Sequence, residues 1–365
     1  MLPGAAAAVK PGDAAAPLAL YVARRESGVT HTAGRGRAVV RFLLRRLVSS
    51  IVLVAIAASM AYILAAVSLH PRSNFEGRNP PPPAAVVDKQ LERSNNNDKT
   101  PVLQRYWTWV KGLAHGDFGR TWDDNSVNAE MGRRIGVSVR LLFLATLIGG
   151  LLGVLVGAWG AVRQYRLSDH VVTLTSFVVL AMPVFVLAVL LEILAVGFND
   201  AVGAKVFKYT GEFTPGLTGG FWAKAGDRVQ HLVLPSLTLI LGQIAVYSRY
   251  QRNAMLDVLG SDYVRTAQAK GLRRRTALTK HALRMALIPS VTFFAYDFGL
   301  LLVGATFTEK IFGWHGMGEW FVDSVTKNDV NAVAAVSLFA SVLVLVAGLI
   351  SDIAYALLDP RIRVG

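Results

Sequence analysis

The chain has 365 residues and a formal net charge of +14, and it is 53% hydrophobic but only 17% charged, with a mean hydropathy of +0.42. That balance is too apolar for an ordinary soluble domain and points to a bilayer as solvent. No cysteine is present, which excludes disulfides, iron–sulfur clusters and thiolate-held metals.

From the amino end, residues 1–46 are rich in Ala, Gly and Arg without helical periodicity and predict a disordered, basic cytoplasmic tail. The run from Ala14 to Ala23 imitates a signal core, but its only preceding cation is Lys10, so it is read as part of that tail. Six apolar runs approach the ~20 residues that a helix needs to cross a ~30 Å hydrocarbon core. They are Leu47 to Leu69, Val139 to Val162, Val171 to Val196, His231 to Ser248, Ala286 to Thr308 and Ala332 to Leu357. The expected fold class is therefore an all-α membrane protein with six transmembrane helices. Residues 139–357 would form the core, and a short tail, residues 358–365, would follow.

Residues 70–138 form the long segment between the first two spans. Asn79 to Pro83 must be extended, because successive prolines bar a helix, and it reads as a spacer. Thr100 as N-cap and Pro101 at the first helical position predict a helix with Leu103, Tyr106, Trp107, Val110 and Leu113 on one stripe and Trp109 close by. Two readings stay open: an interfacial helix on the outer leaflet, or a packed helix of a small external subdomain.

In the second span, Gly149, Gly153 and Gly157 recur every four residues and clear one face for close helix–helix approach. Pro183 falls in the middle of the third span and predicts a kink, static or gating. Four ionisable residues lie in the spans: Arg140, Glu192, Asp297 and Asp352. Arg140 and Asp352 are near enough to span ends to hydrate or snorkel. Asp297 lies about 18 Å from the outer end of its span at the 1.5 Å helical rise. There it needs water or a partner, so it either lines a translocation path or bonds to a Ser, Thr or Arg on a neighbouring helix. Glu192 is a second path candidate on the same argument. No metal site is expected, since no HExxH pattern accompanies the seven histidines, and GxSxG is also absent.

Lys and Arg in the short loops set the orientation. Arg35, Arg37, Arg41, Arg45 and Arg46 precede the first span, Arg163 and Arg166 follow the second, nine cations lie in residues 249–285, and Arg361 and Arg363 end the chain. The opposite short loops hold only Lys205, Lys208, Lys224, Arg228, Lys310 and Lys327. Both termini are thus expected to be cytoplasmic. The positive charge is accounted for by this bias, with no module of the kind that binds nucleic acid.

Within the basic loop 249–285, Ser261 suits an N-cap, Asp262 and Lys270 complement the helix dipole, and Gly271 suits the left-handed C′ position. A helix of about nine residues, roughly 13 Å, is predicted. Thr266, Ala267 and Ala269 are small and would let another protein's backbone approach; the alternative is a basic amphipathic loop lying on anionic lipid.

The pattern RTAQAKGL followed by HALRMALIP resembles the cytoplasmic EAA loop of permease subunits in binding-protein-dependent ABC importers. The segments PVLQRYWTWVKGLAHGDFG, TFTEKIFGWHGMGEW and LLDPRIR are similar to the outer stretch, outer loop and C-terminal ending of B-type permeases of oligopeptide and dipeptide importers. Arg265, Thr266 and Ala267 stand where the general pattern has Glu-Ala-Ala, and Gly271 to Pro289 is longer than usual. Both departures also mark the peptide subgroup.

The resemblance implies a type I ABC importer permease fold in a bacterial plasma membrane. It implies a non-catalytic subunit paired with a second permease, two P-loop ATPase subunits and an extracytoplasmic peptide-binding protein. ATP and Mg would be held by the ATPase partners, and nothing in this chain matches GxxxxGK[ST]. By the same resemblance, Arg265, Thr266, Ala267, Ala269, Lys270 and Gly271 would couple to the ATPase. An importer for nickel, glutathione or another small solute remains the alternative. A secondary transporter or channel would call for inverted repeats or broken helix pairs, and no repeat is evident.

Overall fold

The structure, a computed structural model, describes residues 32–358, with side chains from Arg45 onward except Tyr263, Arg274, Arg275, Lys280, His281, Ala295 and Ala356. The expectations for residues 1–31, including the signal-like run, and for Arg361 and Arg363 lie outside the described residues. The chain divides into two compact units, residues 1–53 and 54–365. The contacts below belong to the second.

The described residues are helical apart from loops and one isolated bridge, Arg120 to Ser126. Helix α1 runs Thr32–Ser68. It begins before the first apolar run, so residues 32–46, expected in the disordered tail, are helical. Once an apolar helix is nucleated, extending it through Ala, Val, Leu and Arg costs little per residue. After a 3₁₀ turn at Pro71–Phe75 come α2 (Ala84–Arg93) and α3 (Val102–Ala114). Then follow α4 (Val127–Val162), α5 (Leu167–Ala181), α6 (Val184–Val202) and α7 (Phe221–Leu259). Next are α8 (Asp262–Ala269) and α9 (Arg274–Ala277), the latter running through a π turn into α10 (Leu283–Ile311). The surface helix α11 (Met317–Thr326) and the last helix, α12 (Val330–Leu358), complete the fold.

Among the described residues five helices, α1, α4, α6, α7 and α12, are long and apolar enough to cross a bilayer; α10 makes six if its two halves, bent by 52°, form one span. The third expected span is two helices rather than one kinked helix. Met182 is extended and Pro183 caps α6, because proline lacks the N–H that a continuous helix would need there. Pro289 lies inside α10.

The glycine stripe acts as expected. A Cβ on Gly149 would come within 2.5 Å of Gln243 Cβ, one on Gly153 within 2.6 Å of Tyr247 Cβ, and one on Gly157 would strike the Ser248 carbonyl oxygen. Helices α4 and α7 therefore meet backbone to backbone. Farther out, Val137, Leu141, Leu142 and Ala145 of α4 pack with Leu239 and Ile240 of α7, Leu301 and Ala305 of α10, and Trp314.

Helix α3 is packed on one face. Trp109 is buried and stacks on Tyr62 of α1 with centroids 4.8 Å apart, and Tyr106 hydrogen-bonds Ser59 at 2.8 Å. Leu103 and Trp107 of the expected stripe face outward instead, and the N-cap is Pro101 rather than Thr100. Pairing with α1 and α12 buries the face centred on Trp109, so tertiary contact decides which apolar residues turn inward. Polar links close this small subdomain. Arg72 pairs with Asp88 and Asp98, both at 2.7 Å, and buried Asn331 donates to the carbonyls of Ser94 and Arg120.

Candidate functional site

Helix α8 is short because both ends are chemically specified. Ser261 sits at the N-cap in extended backbone, but its hydroxyl donates back to the Val258 carbonyl at 2.6 Å instead of accepting from α8. At the other end Gly271 has φ +88°, its N–H donates to Gln268 O at 2.9 Å, and Leu272 N–H reaches Ala267 O at 3.3 Å. These two bonds form a Schellman closure, whose left-handed C′ position favours a residue without Cβ. A Cβ at Gly271 would meet nothing within 4 Å, so the requirement is one of backbone conformation alone.

The residues expected to meet a partner divide between two faces. Arg265, Thr266, Ala269, Lys270 and Gly271 are exposed. Ala267 is buried, as is Val264, and Val264 packs into a cluster with Ala161 of α4, Met255 of α7, Leu278 and Ala282 of the π turn, and Ala286 of α10. Ala267 is thus an inward anchor rather than an open approach point. The spacing of Val264 and Ala267, i and i+3, carried that signal. Nearby, Asp169 of α5 holds Arg252 of α7 through two 2.7 Å bonds, a lock that no local pattern announced.

Asp297 of α10 is 3% exposed and faces Gln243 and Tyr247 of α7. It also lines a cavity of about 170 Å³ between α10, α7 and the α5–α6 break, with Met182, Val184, Thr238 and Gln243 among its walls. Both expected settings for this carboxylate, a neighbouring polar group and open volume, occur together. The neighbours are an amide and a phenol rather than a Ser, Thr or Arg. Glu192 is half-buried on α6 and does not line this cavity, so the two acidic candidates do not converge. Arg140 reaches Glu212 in the loop between α6 and α7 at 2.8 Å, in keeping with its place near a span end. No group of three or more metal-ligating side chains occurs among the described residues.

The family described as "Binding-protein-dependent transport system inner membrane component" matches residues 149–364, which include α7, α8 and α10. This chain belongs to that family. It is a multi-pass membrane protein and a permease of the transport type. It is 53% identical over 324 residues to the oligopeptide transport system permease protein OppB of Mycobacterium tuberculosis, covering 89% of this chain and 99% of the relative. The oligopeptide permease protein AppB of Bacillus subtilis is 33% identical over 77% of this chain and 87% of its own length. The di/tripeptide permease protein DppB of Pseudomonas aeruginosa is 35% identical over 72% and 81%.

Proposed function

We propose that this chain is the permease subunit of an ATP-driven importer for oligopeptides or dipeptides, contributing half of the translocation pore. Its termini and α8 face the cytoplasm, as the distribution of Lys and Arg favours. The observation that carries the mechanism is α8 itself: a helix closed at Gly271, anchored in an apolar cluster by Val264, with Ala267 buried and Arg265, Thr266, Ala269 and Lys270 on its outward side. A capped rod of this kind transmits a push as a rigid body, whereas an unanchored loop would absorb it. The rod docks on a P-loop ATPase subunit, and closure of the ATPase pair around ATP and Mg moves it. A second permease completes the pore, and an extracytoplasmic binding protein delivers the peptide.

The relatives' names support the cargo class, and nickel, glutathione or another small solute is the competing cargo. Asp297 lies on the path at the α5–α6 break; Glu192 is the weaker path residue. Purification of the tagged chain in mild detergent tests the whole reading. A second permease and two ATPase subunits should accompany it, and vesicles holding that complex should accumulate labelled peptide only with ATP. Uptake of the same peptide by the chain alone, without nucleotide, would overturn the assignment in favour of an ATPase-independent carrier.

A further inference from the structure

Helix α11 starts at Gly316, which has no side chain to cap the helix. Its first N–H groups nevertheless have partners, supplied by two other helices. Met317 N–H donates to Ser138 Oγ of α4 at 2.7 Å. Gly318 and Glu319 N–H donate to Glu309 Oε2 of α10 at 2.7 and 3.1 Å. Ser138 Oγ in turn donates to Glu309 Oε1 at 2.5 Å. Glu309 is 1% exposed. A Cβ on Gly316 would run into its carboxylate, and one on Gly318 would come within 2.5 Å of Thr306 Cα and 3.0 Å of Glu309 Oε2. The glycines of the GWHGMGEW stretch therefore let α11 seat its positive end directly on a buried carboxylate. Lys310 and Asp323 add an outer strap between α10 and α11 at 2.5 Å.

This junction lies at one end of α10. At the other end, α8 packs through Val264 against Leu278, Ala282 and Ala286 on the segment that becomes α10. Helix α10, bent by 52° between its two halves, thus joins the surface rod to the Glu309 junction.

We propose that Glu309 is a positioning residue for transport: with Ser138 it locks α11 to α10 and α4, so that displacement entering at α8 leaves the outer end of α10 as movement of α11. This rests on the importer reading above. The chemistry suits the task, because a carboxylate receiving three donors at a dipole end is a stiff, charge-assisted joint, whereas neutral contacts yield more readily.

The test uses the assembled complex in vesicles. Glu309→Gln keeps the shape but removes the charge and one acceptor. ATP hydrolysis and subunit co-purification should remain, while peptide uptake should fall at least about tenfold, the loss expected from one charge-assisted hydrogen bond. Since this chain has no cysteine, Val202→Cys at the end of α6 and Val325→Cys on α11 can carry paired spin labels at exposed sites. The distance change on adding ATP should occur in the parent and vanish with Glu309→Gln. Wild-type uptake or an unchanged distance response would overturn the proposal. If Glu309→Gln does not assemble, Ser138→Ala, which leaves Gly318 and Glu319 on the carboxylate, is read the same way, and full uptake there would overturn it too. A parent complex without ATP-dependent uptake would instead refute the importer reading.

Discussion

A carboxylate at membrane depth is costly unless something faces it, and Asp297 has both polar neighbours and a cavity. Replacing it by Asn preserves size and most hydrogen bonding but removes charge. We expect Asp297→Asn to assemble normally and to change peptide uptake by about tenfold, the scale of one hydrogen bond to a charged group. Loss of the complex on gel filtration, with no transport effect in what assembles, would mark the residue as packing only. Asp297 was legible in the sequence because a charge inside an apolar run stands out. Glu309 was not: its partner Ser138 is 171 positions away, so no local pattern joins them. The GWHGMGEW glycines were visible, but their purpose depends on a carboxylate arriving from another helix.

At the level of elements, α8 was largely readable from its caps, and the structure revises their roles. Gly271 closes the helix as its position suggested, while Ser261 bonds backwards to Val258. Replacing Gly271 by Val forces a β-branched residue into left-handed backbone, at a cost of about 1–3 kcal/mol. The helix should fray at its C-terminal end, and ATP hydrolysis should continue with reduced peptide uptake. Equal uptake and equal ATPase association in Gly271→Val would refute the rigid-rod mechanism. Proline and glycine signals were strong for α4 and for the α5–α6 break, yet the strength of the break exceeded the expected kink. The orientation of α3 escaped the reading because both of its faces carry aromatic residues, and only contact with Tyr62 selects Trp109.

For the molecule as a whole, the subdomain around α2 and α3 should respond to pH in two opposing ways. Asp88 and Asp98 lie below the usual carboxylate range through hydrogen bonds, from Lys99 and then Arg72 for Asp88, and from Arg72 for Asp98. Their stabilisation is present above the ordinary carboxylate pKa of about 4 and is lost as pH falls through their folded values. Burial instead raises Asp329 to about 6, against the opposing N–H donors of Ala332 and Trp122. Its stabilisation is full in acid and declines as pH rises through about 6. Amide protection, the exchange rate taken relative to the intrinsic rate at each pH, should therefore be greatest near the ordinary carboxylate pKa of about 4 and fall from there to about 6, and Asp329→Asn should abolish that fall at the Trp122 and Ala332 amides. A flat protection profile across that range in the parent protein would contradict this.

The contact of α4 with α7 bears on which seams can slide. Where three successive glycines bring two backbones together with no room for a methyl group, neither ridge can ride over the other without a collision. These two helices are consequently a single plank, and any alternation of access must hinge elsewhere, with the discontinuity at Met182 and Pro183 the natural place for the fold to flex.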